Sequence, residues 1–156
     1  MSDDRSFIVR EAAREESAAI AEIIRVAFQE IADRIGIDIP PLHESAQDVL
    51  ATFDAGDAVL AAEADGRLVG TVRCETLEGN SVMARRLAVL PESRRTGIAH
   101  ALMSALEAAY PQARRFELFT GAGAVGAVRL YESLGYHLID PPHPMEFPLV
   151  YMEKCR

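Results

Sequence analysis

The sequence predicts a single-domain α/β protein built on a mixed sheet, and three observations support this fold class. Its 156 residues suit one domain, which at that length buries roughly 70% of the unfolded surface. Two turn dipeptides, Asp65-Gly66 and Gly79-Asn80, separate apolar runs as in antiparallel hairpins. Amphipathic helical patterns lie on both sides of these hairpins. We expect the order β-α-α-β-β-β-α-β-α-β-β.

The first third of the chain predicts one strand followed by two helices. The expected bounds are a strand at 7–10 and helices at 15–35 and 45–55. Each helical segment repeats apolar residues on one face and stops at a glycine, Gly36 or Gly56. Pro40 and Pro41 require loop or extended chain between the two helices.

The middle of the chain predicts an antiparallel meander of three strands, joined by the two turn dipeptides. The expected strands are 58–63, 68–75 and 81–90. Asp-Gly between apolar runs is the strongest short-range hairpin signal, because both turn residues can adopt positive φ. The third strand stops before Pro91, which cannot donate to a strand ladder.

The last third predicts two further helices and three strands. The expected elements are a helix from 98 to 109, a strand at 116–120, a glycine-rich loop and helix over 121–134, and strands at 136–139 and 149–153. Pro111 breaks the chain after the first of these helices, and Gly135 takes the position just past the end of the second. Prolines between 140 and 144 indicate a rigid loop.

The net charge of −8 is divided unevenly along the chain. Residues 1–65 carry a net charge of −10, whereas residues 66–156 carry +2. The absence of a broad basic face argues against nucleic-acid binding. The division suits a coenzyme with several phosphates on the C-terminal half. It equally suits a cationic amine beside the acidic half, or simple solubility.

Targeting and redox signals in the sequence point to the cytoplasm. Cys74 and Cys155 form no CxxC motif, and both are expected to be buried apolar residues in a reducing compartment. The acidic N-terminus lacks the apolar region of a signal peptide. No stretch approaches the ~18 apolar residues that a membrane-spanning helix needs. We therefore expect no membrane partner and no metal site.

The stretch from Leu87 to Tyr110 has the layout of a phosphate-binding site. An apolar strand end is followed by a basic loop, then by Gly97 and a long amphipathic helix. The first turn of a helix has free N–H groups and a partial positive charge. Small residues at Gly97 and Ala99 let a ligand approach those groups closely.

The loop at 94–99 resembles the R/Q-x-x-G-x-G/A signature of the GNAT superfamily, the acyl-CoA-dependent N-acyltransferases. The preceding Leu-Ala-Val-Leu-Pro-Glu resembles the strand and turn that lead into that signature. The resemblance implies a GNAT fold that binds acetyl-CoA. The implied coenzyme contacts are Leu87, Ala88 and Val89 on the strand, Arg94, Arg95, Thr96, Gly97, Ile98 and Ala99 around the loop, and Ala124 and Ala127 further along.

A second glycine-rich segment offers a competing interpretation. Residues 121–126 read G-x-G-x-x-G after a predicted strand, and Asp140 follows at the spacing of a dinucleotide-binding site. Too few residues remain after Asp140 for a doubly wound sheet, and tight hairpins cannot join parallel neighbours. The alternative of an NAD(P)-binding module is therefore disfavoured but stays open here.

The segment from Leu118 to Tyr136 also resembles the second GNAT signature, which ends in L-Y-E-x-x-G-F/Y. The resemblance implies that Tyr131 lies against the coenzyme sulfur, where a phenol can donate to the leaving thiolate. From periodicity alone, Tyr131 reads as a core aromatic. Ala124 departs from the pattern, since many relatives carry Asn or Gln there, so a polar contact to the coenzyme arm is in question.

The general base is not identified by the sequence. Relatives often carry Glu on the strand before the signature loop, where this chain has Met83. Glu75, at the end of the neighbouring strand, is the favoured candidate, acting directly or through water. Lesser candidates are His43, Glu44, His143 and Glu146, whereas Arg85 and Arg86 are expected to be structural or surface residues.

These expectations combine into an N-acetyltransferase that moves an acetyl group from acetyl-CoA to a primary amine by direct attack in a ternary complex. The acceptor, a small molecule or a peptide, is not identified by the sequence. A GNAT-like acyl-CoA sensor without turnover is the first alternative, consistent with the missing Glu. Dimers are common in that family, which leaves a homodimer open.

Overall fold

The computed structural model describes residues 6–121, 125–142, 144 and 149–156. Over these residues the chain forms seven strands and four α-helices, which confirms the expected α/β class with a mixed sheet. The strands are β1 Phe7–Glu11, β2 Val59–Ala64, β3 Arg67–Leu77, β4 Ser81–Val89, β5 Arg115–Gly121, β6 His137–Ile139 and β7 Leu149–Cys155. The helices are α1 Ser17–Ile35, α2 Ala46–Asp54, α3 Ile98–Ala109 and α4 Val125–Ser133. Among these described helices, none is both long and apolar enough to cross a membrane.

The first four strands form the expected antiparallel meander. Within the sheet order β1-β2-β3-β4-β5-β7-β6, each of β1 to β4 pairs antiparallel with the next. Both hairpin turns have two residues at positive φ, with 51° and 75° at Asp65 and Gly66, and 76° and 59° at Gly79 and Asn80. Two-residue turns of this kind match the right-handed twist of the strands that they connect.

The sheet opens between β4 and β5. These two strands pair in parallel only over Ser81–Met83 and Arg115–Glu117, although β4 continues to Val89 and β5 to Gly121. Further along β4 the register against β3 shifts, and Arg86 has a φ of 56°, so β4 carries a bulge there. The far half of β4 therefore has one edge without a strand partner among the described residues.

Two apolar clusters cover the two faces of the sheet. One joins α3 and α4 to the sheet through buried residues that include Leu102, Leu106 and Phe116. The other packs α1 and α2 against β2 and β4, around Ile20, Ile24 and Val49. Burial of this apolar area is the main term that holds the layers together.

Local details differ from expectation in three places. A short 3₁₀ turn at Arg14–Glu16 precedes α1, and Pro40–His43 also forms a 3₁₀ turn where loop or extended chain was expected. Proline in the first positions of such a turn costs little, because its missing N–H would be unpaired there anyway. The prediction that Cys155 is buried is wrong, because it ends the last strand next to the C-terminus and is exposed. Cys74 is buried as expected.

The dinucleotide-binding alternative is wrong for this topology. A Rossmann unit needs the strand after the glycine-loop helix to lie parallel to the strand before it. Here the strand that follows α4 is β6, which pairs antiparallel with β7 and has no pairing with β5 in the described part of the sheet. Within the G-x-G-x-x-G segment, residues 122–124 lie outside the described residues.

Candidate functional site

The loop between β4 and α3 leaves the N-terminus of the helix open. The first hydrogen bond of α3 runs from Ala101 N to Gly97 O at 3.0 Å, so the N–H groups of residues 98–100 have no partner within the helix. Gly97, with φ at 87°, is the N-cap, and no side-chain hydrogen bond caps this helix in the described chain. Thr96 Oγ1 donates to Ser93 O at 2.6 Å and so braces the loop. Free N–H groups at a helix N-terminus favour an anion.

The two arginines of this loop take different directions. Arg94 turns toward α1, where Nη1 lies 2.5 Å from Glu30 Oε2 and Nη2 donates to Ala27 O at 3.3 Å. Arg95 is exposed, has a φ of 62°, and forms no ion pair with a described residue. Arg94 therefore ties the loop to α1, whereas the Arg95 guanidinium is available to an anionic ligand.

The gap between β4 and β5 begins next to this loop. Leu87, Ala88 and Val89 form the last residues of β4, beyond its pairing with β5. Helix α3 approaches the sheet very closely here, because a Cβ built on Gly70 of β3 would lie 3.1 Å from Ile98 Cγ2. The glycine thus sets the position of the open helix end relative to the strands.

Tyr131 lies in the core cluster whose members Ala84, Val89 and Leu118 belong to the strands on either side of the gap. Its side chain is only 8% exposed, and its ring meets that of Tyr136 edge-on with centroids 6.0 Å apart. Burial raises the pKa of Tyr131 to about 12. The hydroxyl has no hydrogen bond to any described residue, so a core tyrosine here keeps an unused donor.

Some residues with an expected role lie elsewhere or outside the described part. Ala127 of α4 is half-buried against the same cluster. Ala124, His143 and Glu146 fall outside the described residues.

A cavity of about 710 Å³ lies on the α1 and α2 side of the sheet. Helix α2 and the turn at Pro40–His43 form its wall, and residues of β3 and β4 form its floor. The floor contains three arginines, Arg73, Arg85 and Arg86. This volume is in the range of sites for small molecules.

A largely buried ion cluster forms part of this cavity lining. Glu44 is 4% exposed, and its two carboxylate oxygens accept from different arginines. Arg73 Nη1 donates to Oε2, and Arg86 Nε donates to Oε1 at 3.1 Å. Arg25 Nη1 also donates to the Glu44 carbonyl at 2.5 Å. Burial lowers the pKa of Arg86, and the hydrogen bond to Glu44 opposes that effect.

This cluster is the part of the site that sequence reasoning missed. The sequence indicates a structural or surface role for Arg86 and no role for Arg73. Arg73 lies 29 positions after Glu44 in the sequence, and Arg86 lies 42 positions after it. The cluster also depends on the bulge that turns Arg86 toward the cavity. No local pattern in the sequence signals either feature.

Glu75 and His43 are the remaining titratable candidates in the lining. Glu75 Oε2 lies 2.8 Å from Arg85 Nη1, and Oε1 has no hydrogen bond with a described residue. His43 Nε2 contacts the Asp38 carboxylate at 2.8 Å, and Nδ1 has no hydrogen bond with a described residue. Arg85 also lies over the Phe119 ring at 5.9 Å, so it connects the cavity with β5 beyond the gap. Among the described residues no group of side chains could hold a metal ion.

Comparison with known proteins gives one family match and many similar structures. A family model for an acetyltransferase (GNAT) domain matches residues 55–138. The PaiA N-acetyltransferase of Thermoplasma acidophilum, in complex with coenzyme A, is 18% identical with a TM-score of 0.81, over 97% of this chain and 99% of that one. The yncA protein of Salmonella typhimurium, with its cofactor acetyl-CoA, is 20% identical with a TM-score of 0.74, over 96% and 93%.

A third similar structure is the ribosomal-protein-alanine N-acetyltransferase of Brucella melitensis. It is 22% identical with a TM-score of 0.73, over 96% of this chain and 99% of that one. No curated protein sequence matches the chain. At these identities the structural likeness establishes the fold, which agrees with the family match.

Proposed function

The chain belongs to the GNAT acetyltransferase family, and on that premise we propose that it transfers an acetyl group from acetyl-CoA to a primary amine. The amine attacks the thioester directly in a ternary complex. The observation that carries this proposal is the open N-terminus of α3 beside the gap between β4 and β5. It offers a phosphate site and a slot for the coenzyme arm within one continuous surface.

This geometry supports the following coenzyme contacts. The free N–H groups at the start of α3 bind the pyrophosphate, and Arg95 adds a charge-assisted contact. Arg94 contacts phosphate only after releasing Glu30. The pantetheine arm lies in the gap along Leu87–Val89, with Ala127 of α4 on its other side. Ala124 completes the expected set.

The acyl-transfer step then needs two donors. Backbone N–H groups on the unpaired edge of β4 stabilise the thioester oxygen as it becomes an oxyanion. Tyr131 donates its free hydroxyl to the leaving sulfur. Because its pKa is about 12, whereas a thiol has a pKa of about 8.5, complete proton transfer is uphill by roughly 5 kcal/mol. Tyr131 therefore stabilises the thiolate by a hydrogen bond.

The amine must lose a proton, and Glu75 is the base that we assign. An alkylamine has a pKa of about 10.4, so only about one molecule in a thousand is neutral at pH 7.4. Glu44 is unsuited to accept the proton, because both of its oxygens are held by arginines. Glu75 keeps Oε1 available and lines the cavity next to Arg85. It acts directly or through a water molecule.

A second candidate function is an acyl-CoA sensor without turnover. The observation that favours it is Met83, a side chain without acid or base chemistry where relatives often carry Glu on β4. A sensor would bind acetyl-CoA and release no free thiol when amines are supplied.

The test of the proposed function is a turnover assay that follows free thiol released from acetyl-CoA in the presence of an amine panel. We expect Tyr131→Phe to lower kcat roughly 10- to 100-fold, the effect of one charge-assisted hydrogen bond. The acetyl-CoA Kd should stay unchanged. A Tyr131→Phe protein as fast as the parent would contradict the role of Tyr131, and binding without turnover of any amine would favour the sensor.

A further inference from the structure

The cavity between α2 and the sheet contains more hydrogen-bond donors than its own carboxylates use. Arg73 donates to Glu44 only through Nη1, and Arg86 only through Nε. The other two nitrogens of each guanidinium have no acceptor among the described residues. Every side-chain nitrogen or oxygen of the described chain that is shielded from solvent has a hydrogen-bond partner, so these nitrogens, like the Tyr131 hydroxyl, reach solvent. The space that both side chains line is the cavity.

The carboxylate oxygens of the lining already accept more hydrogen bonds from the protein than the guanidinium nitrogens donate. Both Glu44 oxygens accept from arginines, and Asp57 accepts from the backbone and side chain of Thr76. Asp48 uses one oxygen to cap α2 through Ser45. Glu75 uses one oxygen on Arg85. The free hydrogen-bonding capacity of the floor is therefore mainly that of guanidinium donors.

The partial burial of the cluster also favours an anionic group that binds the free guanidinium nitrogens directly. Glu44 together with Arg73 and Arg86 has a net charge of one positive unit, and it is largely removed from water, since side-chain exposure is 2% for Glu44 and 10% for Arg73. The Asp48 carboxylate also interacts electrostatically with both arginines. A ligand carboxylate that binds the free nitrogens directly still gains from the partial burial, which weakens solvent screening. The lining as a whole holds four carboxylates beside its three arginines, so it matches an acceptor that carries both a positive and a negative group.

The position of the arginines determines the distance between the anionic group of the ligand and its reacting amine. Arg86 immediately precedes Leu87–Val89, the edge along which the proposed thioester lies. A carboxylate held by Arg86 is therefore near the attacking nitrogen, so the acceptor carries both groups a few bonds apart. The volume of about 710 Å³ accommodates a small molecule.

We propose that the acceptor is a small α-amino acid whose carboxylate binds the free guanidinium nitrogens of Arg73 and Arg86 while its amine faces the gap between β4 and β5. Bidentate geometry suits this pairing, because a guanidinium presents two parallel donors to a carboxylate. Glu44 holds the two arginines in place. The inference rests on the proposed acetyl-transfer function and names its acceptor class.

The experiment compares acids with their neutral counterparts on the full chain. The probes are the nineteen proteinogenic amino acids that carry a primary amine and the α-carboxamide of each, which keeps the amine and removes the charge of the α-carboxylate. Thiol release from acetyl-CoA gives kcat/KM, and a thermal-shift measurement on the coenzyme A-bound protein detects binding where no turnover follows. We expect at least one acid to exceed its carboxamide roughly 10- to 100-fold.

Arginine variants separate recognition from structure. Arg86→Gln should raise the acceptor KM by a similar factor and bring the acid and carboxamide to near equality, with the acetyl-CoA KM unchanged. A structural role alone would reduce both substrates alike. Arg86→Lys retains the charge and serves as a second variant if Arg86→Gln does not fold. Arg67→Gln, an exposed arginine outside the cavity, is the matched control and should behave as the parent.

The possible outcomes separate a failure of this inference from a failure of the proposed acetyl-transfer function. Equal use of acids and carboxamides, or use of carboxylate-free amines alone, overturns the inference and leaves acetyl transfer intact. Acetyl-CoA binding with no amino acid bound or acetylated also overturns it. Failure to bind acetyl-CoA overturns the proposed function itself.

Discussion

The side chains of the site differ in how many of their hydrogen-bonding groups are already bound to neighbouring residues. Glu44 and Arg94 are fully engaged, by two arginines and by α1 respectively. Tyr131 and Arg95 keep donors without partners among the described residues. A group that is free before the ligand arrives can bind it without breaking an existing contact. Free groups therefore carry most of the expected chemistry.

Glu75 is the residue whose role is most open to test. We expect Glu75→Gln to lower kcat at neutral pH by about 100-fold, at the lower end of what a general base contributes. The acetyl-CoA Kd should not change, since Glu75 lies in the cavity and not in the phosphate loop. Turnover kinetics and calorimetry measure the two quantities.

His43→Gln is the matched control for this prediction, because His43 lines the same cavity and is the other candidate. Its kcat should remain close to that of the parent. The opposite pattern, with an active Glu75→Gln and an inactive His43→Gln, would move the base to the pair of His43 and Asp38.

The two arginines of the phosphate loop should differ in their effect on coenzyme affinity. We expect Arg95→Gln to weaken acetyl-CoA binding about tenfold, because it removes a charge-assisted contact. Arg94→Gln and Glu30→Gln should have smaller and mutually similar effects, since each breaks the same exposed ion pair. Calorimetric titration of the three variants measures this. If Arg94→Gln weakens binding far more than Glu30→Gln, then Arg94 contacts phosphate directly.

Among the elements, the placement of α3 depends on Gly70. A Cβ at this position would lie 3.1 Å from Ile98 Cγ2, 3.2 Å from Ala88 O and 3.3 Å from Leu102 Cδ1. We expect Gly70→Ala to destabilise the fold by about 1–3 kcal/mol through overpacking and to weaken acetyl-CoA binding by displacing the helix end. Denaturant unfolding and calorimetry test both effects.

Gly126→Ala is the control for that substitution. Gly126 lies in α4, and a Cβ there would meet nothing within 4 Å. Alanine should raise the stability by up to about 1 kcal/mol, because it is the better helix former. A Gly70→Ala protein as stable as the parent would show that α3 does not require the close approach.

For the molecule as a whole, the free energy of unfolding in acid should depend on a contact between β1 and the start of α1. Arg10 binds both oxygens of Glu16 at 2.9 and 2.8 Å, and the backbone of Ala13 donates to the same carboxylate. The hydrogen bonds from Arg10 and Ala13 lower the pKa of Glu16 to about 2. A depressed carboxyl pKa stabilises the fold above the unfolded pKa, and that contribution is lost as the pH falls.

We therefore expect Glu16→Gln to reduce the free energy of unfolding by about 1 kcal/mol at pH 7, after allowance for solvent screening. The difference from the parent should shrink between pH 4.5 and pH 2, where the parent's Glu16 becomes protonated. Urea unfolding at several pH values measures it. A difference that stays constant down to pH 2 would contradict the assignment.

The sequence predicted features that depend on local chemistry. The hairpins followed from Asp65-Gly66 and Gly79-Asn80, because few residues tolerate two successive positive φ angles. The strand, loop and helix around Gly97 were predictable from the spacing of apolar and basic residues between Leu87 and Tyr110. The same residues carry the resemblance to the family. Helix ends at Gly36 and Gly56 followed from their conformational freedom.

Features that depend on contacts between distant segments could not be predicted. The ion cluster brings together Glu44, Arg73 and Arg86 from three segments, and its geometry needs a bulge with a non-glycine residue at positive φ. Arg94 reaches a partner 64 residues away in α1. Sequence patterns specify which face of an element is buried, but they do not specify which charged side chains meet across elements.

The central claim is that the open end of α3 and the gap between β4 and β5 hold acetyl-CoA. Calorimetric titration of the full chain with acetyl-CoA, with NADH as a parallel control, tests it most directly. We predict a Kd on the order of micromolar for acetyl-CoA and no heat of binding for NADH. Absence of acetyl-CoA binding to the folded parent protein would contradict the account.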